Sequence, residues 1–155
     1  MKSNNDNGIV LSASCEFGNY FKNYFGGGMA FNACDGKGTE TVWSSYDGKS
    51  ESTLPSWFQV QFPTPITLNT VKLQPYGAKT FYGPTKFTIQ ASHNGSTFIN
   101  LQEFTNITWN SDNNEEVQEF NFNNNNEYQY YRIVIHDVTG SGKDAVFYTI
   151  NFGYF

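Results

Sequence analysis

The sequence predicts an all-β protein, a sandwich of about eight strands, and three observations carry that reading. Aromatic residues make up almost half of the apolar set, with 15 Phe, 10 Tyr and 3 Trp in a chain of 155 residues. Flat rings pack well on a pleated surface, so such a set favours strands. Only 15% of residues are charged while 14 are glycine, which suits short strands joined by tight turns. Finally, the apolar residues recur with period two, and no segment sustains a 3.6-residue period for three turns.

Taken in order, residues 1–8 are polar and are expected to be a disordered lead-in to one domain over 9–155. "WFQVQF" (57–62) places Phe58, Val60 and Phe62 on one face, with Trp57, Gln59 and Gln61 on the other. "ITLNTVKLQ" (66–74), "KFTIQAS" (86–92), "VQEFNF" (117–122), "YYRIVIHD" (130–137) and "FYTINFGYF" (147–155) alternate in the same way. Phe87, Ile89 and Ala91 share a side, as do Tyr131, Ile133 and Ile135. "SHNGSTF" (92–98) reads as a hairpin built on Asn94-Gly95. "NFNNNNEY" (121–128) reads as a solvated turn, because Asn tolerates left-handed backbone. If consecutive strands run antiparallel, the short turns 63–65, 93–96 and 123–127 gather at one end. The long connections 43–56, 75–84, 104–115 and 138–145 gather at the other, with 16–30 delivered there by the first strand. Binding residues concentrate on long loops held by a rigid scaffold, so the long-loop end is the predicted site.

Composition removes several function classes. The net charge is −5 and the nine Lys plus Arg are scattered, whereas nucleic-acid binding needs a clustered basic face. Cys15 and Cys34 match no zinc spacing and are read as free thiols rather than a bridge. No apolar run approaches the ~20 residues of a membrane helix, and the start lacks an apolar signal-peptide core. Catalysis lacks its parts. His93 falls in a hairpin and His136 late in a strand near the sandwich edge, and neither sits in a nucleophile motif. Glu115 and Glu116 are neighbours in an Asn-rich loop, which reads as a solvated face rather than a glycosidase pair across a cleft.

Specific motifs add to this pattern. Ala33-x-Asp35-Gly36, Thr41-x-Trp43, "PSWFQVQFPTPITLNTVKLQP" and "PTKFTIQASHNGSTFINL" follow one another, and then come "ITW", "FNF", "YQYYRIVI" and "YTINFGYF". In this order they resemble the discoidin domains (coagulation factor 5/8 type C), whose sugar-binding branch is carbohydrate-binding module family 32. The resemblance covers roughly residues 9–155 and implies an eight-stranded antiparallel jelly-roll sandwich with no enzymatic activity of its own. It also implies a structural calcium turn. Its ligands would be the Asp35 carboxylate, the Thr41 hydroxyl and carbonyl, backbone carbonyls near Asn32 and Lys37, a carbonyl near Tyr148 and the side chain at 149. An oxygen-only set suits a hard cation. Two departures weaken it: the Asp35–Thr41 segment is one residue longer than usual, and Thr149 stands where the family has an acidic residue. Glu40 is a candidate substitute. Trp43 is expected in the core with or without the ion.

Sugars are held by an aromatic face beneath the apolar side of the ring, with a few polar groups meeting the hydroxyls. The long loops offer Tyr46, Asp47, Tyr76, Lys79, Phe81, Tyr82, Lys143 and Phe147, the last matching an aromatic platform often seen in the sugar-binding branch. Tyr20, Phe21, Tyr24 and Phe25 lie in a further Gly-rich loop. The branch commonly takes an Arg and an Asn from the loop matching 75–84. Here Lys79 stands there without an Arg, so the contacts must differ from a galactose-type pattern. The expected function is glycan binding in a multivalent or tethered, extracellular or surface-exposed context. Two rivals remain open. Phospholipid insertion would use Phe21, Lys22, Phe25 and Lys79, but acidic neighbours and a net charge of −5 oppose it. An interaction or adhesion module of a larger surface, virion or phage-tail assembly is the other.

Overall fold

The computed structural model of the protein describes residues 3–16, 30–36, 41–49 and 51–154. Its strands are β1 (Asn5–Asp6), β2 (Ile9–Ala13), β3 (Trp43–Ser44), β4 (Ser56–Ile66) and β5 (Thr70–Pro75). Then come β6 (Pro84–Ser92), β7 (Ile99–Phe104), β8 (Gln118–Asn121), β9 (Tyr128–Val138) and β10 (Val146–Gly153). They form two antiparallel sheets, ordered β1-β2-β4-β9-β6-β7 and β3-β10-β5-β8. Eight strands are four residues or longer and two are two-residue pairings, so the predicted all-β, eight-stranded sandwich is the observed architecture.

Alternation places the core between the sheets. Phe58, Phe87, Ile89, Ala91, Tyr131, Ile133 and Ile135 are fully buried, and each large side chain contributes roughly 1.5–3 kcal/mol by leaving water. Trp43 is fully buried as well. Its ring lies 5.4 Å from Phe58 and 6.1 Å from Phe147 between centroids, and its indole N–H donates to the Cys15 carbonyl at 3.0 Å. Asp35-Gly36 precedes it as a turn, with Gly36 at a φ of 75° that favours glycine.

Four expectations need correction. From Asn5 the polar lead-in is not disordered: Asn5–Asp6 pairs with Ile9–Val10 across an Asn7-Gly8 turn with both φ angles positive, the geometry of a tight hairpin. The turn assigned to 63–65 lies inside β4, where register shifts between Gln61 and Ile66. The real connection is 67–69, so 66–74 is the end of one strand and most of the next. "NFNNNNEY" is not wholly solvated, since Asn124 is buried and its amide donates to Leu68 O, Asn126 O and the Tyr131 hydroxyl at 2.9–3.0 Å. His136 stands on β9, an interior strand of its sheet, with its Nε2 2.9 Å from Thr88 Oγ1.

Both cysteines are free thiols. Burial pushes Cys34 up to about 12, and burial followed by the Asp47 charge raises Cys15. Both stay protonated and unreactive near neutral pH.

Candidate functional site

The connections alternate between the two ends as the strand pattern requires, and the long ones among the described residues meet. The 76–83 loop is centred on a π-helical turn, Ala78–Tyr82, entered through Gly77 in the left-handed region at φ 50°. Single π-helical turns are rare and occur frequently at functional sites. Neighbouring loops hold it on two sides. From 105–117, Asp112 accepts bonds from the backbone N–H and the hydroxyl of Thr80. Asn114, at φ 62°, accepts from Gly77 N at 2.9 Å and, through its carbonyl, from Gln74 at 2.8 Å. From 139–145, Thr139 donates its hydroxyl to Ala78 O at 2.7 Å and its N–H to Gly83 O at 2.8 Å.

Glycines set the closeness of this packing. A Cβ on Gly142 would stand 1.7 Å from Phe81 O, and one on Gly83 2.2 Å from Ala78 O and 2.3 Å from the Trp109 ring. Trp109 is buried beneath the loop, and its indole N–H donates to Pro84 O at 3.1 Å.

The result is a chain of four rings. Centroids of Tyr148 and Tyr76 are 5.7 Å apart, Tyr76 and Tyr82 5.9 Å, and Tyr82 and Phe81 6.0 Å, spacings typical of tilted aromatic pairs. Tyr148 is buried together with Val42 and Val146, Tyr76 and Tyr82 are half-buried against them, and Phe81 is 46% exposed. Burial, then the charge of Asp144, raises the Tyr82 phenol. Tyr148 is pushed up to about 12, again by burial. The Tyr82 and Tyr148 phenols therefore stay neutral across physiological pH.

Beside the rings, the 45–53 loop is bonded to 143–145. Thr53 donates its hydroxyl to Asp144 at 2.9 Å, which leaves Ser45, 2.7 Å away, to donate to Thr53 and accept from Ala145 N at 2.9 Å. Burial raises the Asp144 carboxyl, opposed by Thr53 and reinforced by Asp47. Asp47 accepts from Lys49 N at 2.9 Å. In 105–117, burial works against the Glu116 carboxylate, yet bonds from Gln118, Asn110 and Ser111 hold it below its ordinary value. Glu116 shapes its loop, while Glu115 is exposed.

Of the predicted sugar contacts, Tyr76, Phe81 and Tyr82 stand together, with Lys79 and Lys143 exposed on the same pair of loops. Tyr46 is half-buried, with its carbonyl accepting from Cys15 at 3.8 Å. Phe147 is corrected: it is fully buried against Trp43, so it has no face to offer a ligand. Tyr148, expected only as a carbonyl, is buried too, and its ring backs Tyr76 from below. Sequence reasoning missed Asp112 and Asn114 as the residues that hold the loop. The only trace they left was a run of Asx residues. Tyr20, Phe21, Lys22, Tyr24, Phe25, Lys37 and Glu40 lie outside the described residues.

At the expected calcium turn, Thr41 donates its hydroxyl to Asp35 at 2.7 Å and lies 3.5 Å from Asn32 O. Three oxygens of the implied set thus converge. Thr149 departs from it, since its hydroxyl donates to Gln74 at 3.1 Å. Among the described residues no three His, Cys, Asp or Glu side chains gather as a metal group, so an ion here would rely on the single Asp35 carboxylate together with carbonyl and hydroxyl oxygens.

Three comparisons bear on this arrangement. The family model of the F5/8 type C domain matches residues 12–148. Among curated proteins none matches the sequence. Among solved structures, CpGH89CBM32-5 from Clostridium perfringens, in complex with GalNAc-β-1,3-galactose, superposes with a TM-score of 0.74 at 22% identity, covering 94% of this chain and 95% of that one. The family 32 carbohydrate-binding module of NanJ from the same organism, in complex with galactose, gives 0.66 at 23%, covering 93% and 92%. Chitosan-binding module 1 from a Paenibacillus sp. IK-5 chitosanase/glucanase gives 0.65 at 22%, covering 94% of each. At these identities the likeness establishes the fold.

Proposed function

Since the chain belongs to the F5/8 type C domain family, we propose that it is a non-catalytic carbohydrate-binding module that takes its glycan at the long-loop end. The observation that carries this reading is the four-ring chain Tyr148–Tyr76–Tyr82–Phe81, ending in a half-exposed ring at the loop rim. A sugar stacks its C–H face on an exposed ring while nearby Asp, Lys and backbone groups meet its hydroxyls. Lys79, Lys143, Asp47 and Tyr46 are the candidates for those contacts. The saccharide complexes of two of the superposed modules support the same reading, and we place the module in an extracellular or surface-exposed setting. A shallow site engaging about a dozen sugar atoms yields roughly −4 to −6 kcal/mol, a Kd between millimolar and tens of micromolar. Affinity that low acts through several copies or a tether.

A glycan array, with phosphatidylserine vesicles in parallel, tests the class. Glycan hits without vesicle binding support it. Vesicle binding alone favours membrane insertion, and silence in both favours a protein partner. On any hit, Phe81→Ala is expected to lower affinity several-fold with little change in melting temperature, because the ring is 46% exposed. His93→Ala, at the opposite end, is expected to change nothing. The reverse pattern would place the site at the wrong end.

A structural calcium ion at Asn32 O, Asp35 and Thr41 is the second part of the reading. An ion that binds only the folded state stabilises it by mass action. Millimolar calcium is therefore expected to raise the melting temperature of chelator-treated protein, and Asp35→Ala to remove the rise. An unchanged melting curve reduces the stretch to a turn.

A further inference from the structure

The outer face of the four-stranded sheet carries a hollow of about 410 Å³, in the size range of small-ligand sites, roughly 300–1,000 Å³. Two cross-strand rows build it. Lys72 is opposite Asn151 on one side and Glu119 on the other, and Thr70 is opposite Gly153 and Asn121. Gly153 brings no side chain to the face, so the row ends in a depression floored by Thr70. Beside it Tyr154 is 78% exposed. This is an aromatic ring left in water next to a polar depression, far from the loop end.

We propose that this hollow is a second saccharide subsite, for a neutral sugar bearing a vicinal diol, with Tyr154 as its stacking face. The polar groups decide the chemistry. Lys72 Nζ and Glu119 Oε2 are 3.1 Å apart with both side chains substantially exposed. A pair so exposed holds together weakly, so it opens at little cost to a guest. A sugar hydroxyl accepts from the ammonium while its neighbour donates to the carboxylate, and the Asn151 amide offers one more donor and one more acceptor. Because the two charges cancel, an anionic sugar would meet Glu119 and a cationic one Lys72. The neutral diol satisfies both. Six strand residues at ~3.3 Å each separate Thr70 from Tyr76, placing the subsite about 20 Å from the rings of the loop end. A module with two weak sites at that spacing gains avidity on one polysaccharide or cross-links two.

Backbone-amide NMR titrations with galactose, glucose and mannose, carried to tens of millimolar, test this. At least one sugar is expected to give saturable shifts at 70–72, 119 and 151–154. These shifts persist in Phe81→Ala and weaken about five- to tenfold in Tyr154→Ala, which removes an exposed ring and leaves the core intact. Lys72→Ala is expected to weaken the same shifts without touching those at the loop end. Shifts at the sheet face alone sustain this subsite and remove the loop-end reading. Shifts at the loop end alone, or sheet shifts indifferent to Tyr154→Ala, overturn the subsite and leave the loop end standing. No shifts with any of the three sugars overturn it as well.

Discussion

Gly142→Ala is expected to lower glycan affinity by about tenfold or more, ~1.4 kcal/mol or beyond, while the sandwich still folds. The new Cβ would stand 1.7 Å from Phe81 O and 2.7 Å from Val138 Cγ2. A backbone carbonyl cannot swing aside as a long side chain can. Either the 139–145 loop lifts away or the π-helical turn shifts, and both outcomes move Phe81 and Tyr82 out of line with Tyr76. Overpacking of this kind costs about 1–3 kcal/mol, which lowers the melting temperature by a few degrees in a chain of this size. Ser141→Ala, at an exposed position beside it, is expected to be neutral in both assays. Glycan titration and thermal melting of the two variants check this. Unchanged affinity for Gly142→Ala would show that the loop packing does not set the site.

No alternation rule finds Gly142, because its importance lies in a contact between two loops some sixty residues apart. The strands were legible for the opposite reason. Phe87, Ile89 and Ala91, and Tyr131, Ile133 and Ile135, alternate without interruption, and a strand with one buried face has little choice of register. Where alternation breaks, sequence reading breaks with it. In β4 the prolines at 63 and 65 looked like a turn, yet the chain bulges there and continues to Ile66 before turning. In "NFNNNNEY" four consecutive asparagines look alike as letters, but only Asn124 is placed to bond Leu68 and Tyr131.

The site shows the same limit at one position. The resemblance to the sugar-binding branch, which often carries an aromatic platform near this position, points to Phe147. In β10 the register slips between Phe147 and Thr149 against β5, and Val146, Phe147 and Tyr148 are all buried in succession. A bulge re-aims a side chain. Here Phe147 turns onto Trp43 and Tyr148 turns onto Tyr76. A one-residue irregularity thus buries both neighbouring rings, Phe147 in the main core and Tyr148 behind Tyr76, while Tyr76, Phe81 and Tyr82, on a loop between regular strands, lie at the long-loop end.

The opposite end of the sandwich holds a knot of buried hydrogen bonds, and Tyr131→Phe is expected to separate its contribution to stability from glycan binding at the proposed loop-end site. The Tyr131 hydroxyl donates to Ile66 O at 2.7 Å and accepts from Leu68 N at 3.1 Å and from the Asn124 amide at 3.0 Å. One oxygen thus ties the β4–β5 turn to the β8–β9 turn. Phenylalanine keeps the ring among Phe62, Tyr128 and Phe152 and removes only that oxygen. Leu68 N–H then loses its acceptor in a buried place, and an orphaned buried group costs about 1–3 kcal/mol. At roughly 2–4 °C per kcal/mol for a chain of this length, the melting temperature falls by about 2–12 °C. Seven β9 residues at ~3.3 Å each put the loop end more than about 20 Å away, so glycan affinity at Phe81 and Tyr82 stays unchanged. A melting temperature that does not move would mean water replaces the hydroxyl at no cost. Lost binding at the loop end in a protein that still melts cooperatively would mean that the two ends are coupled, and the independence expected here would fall.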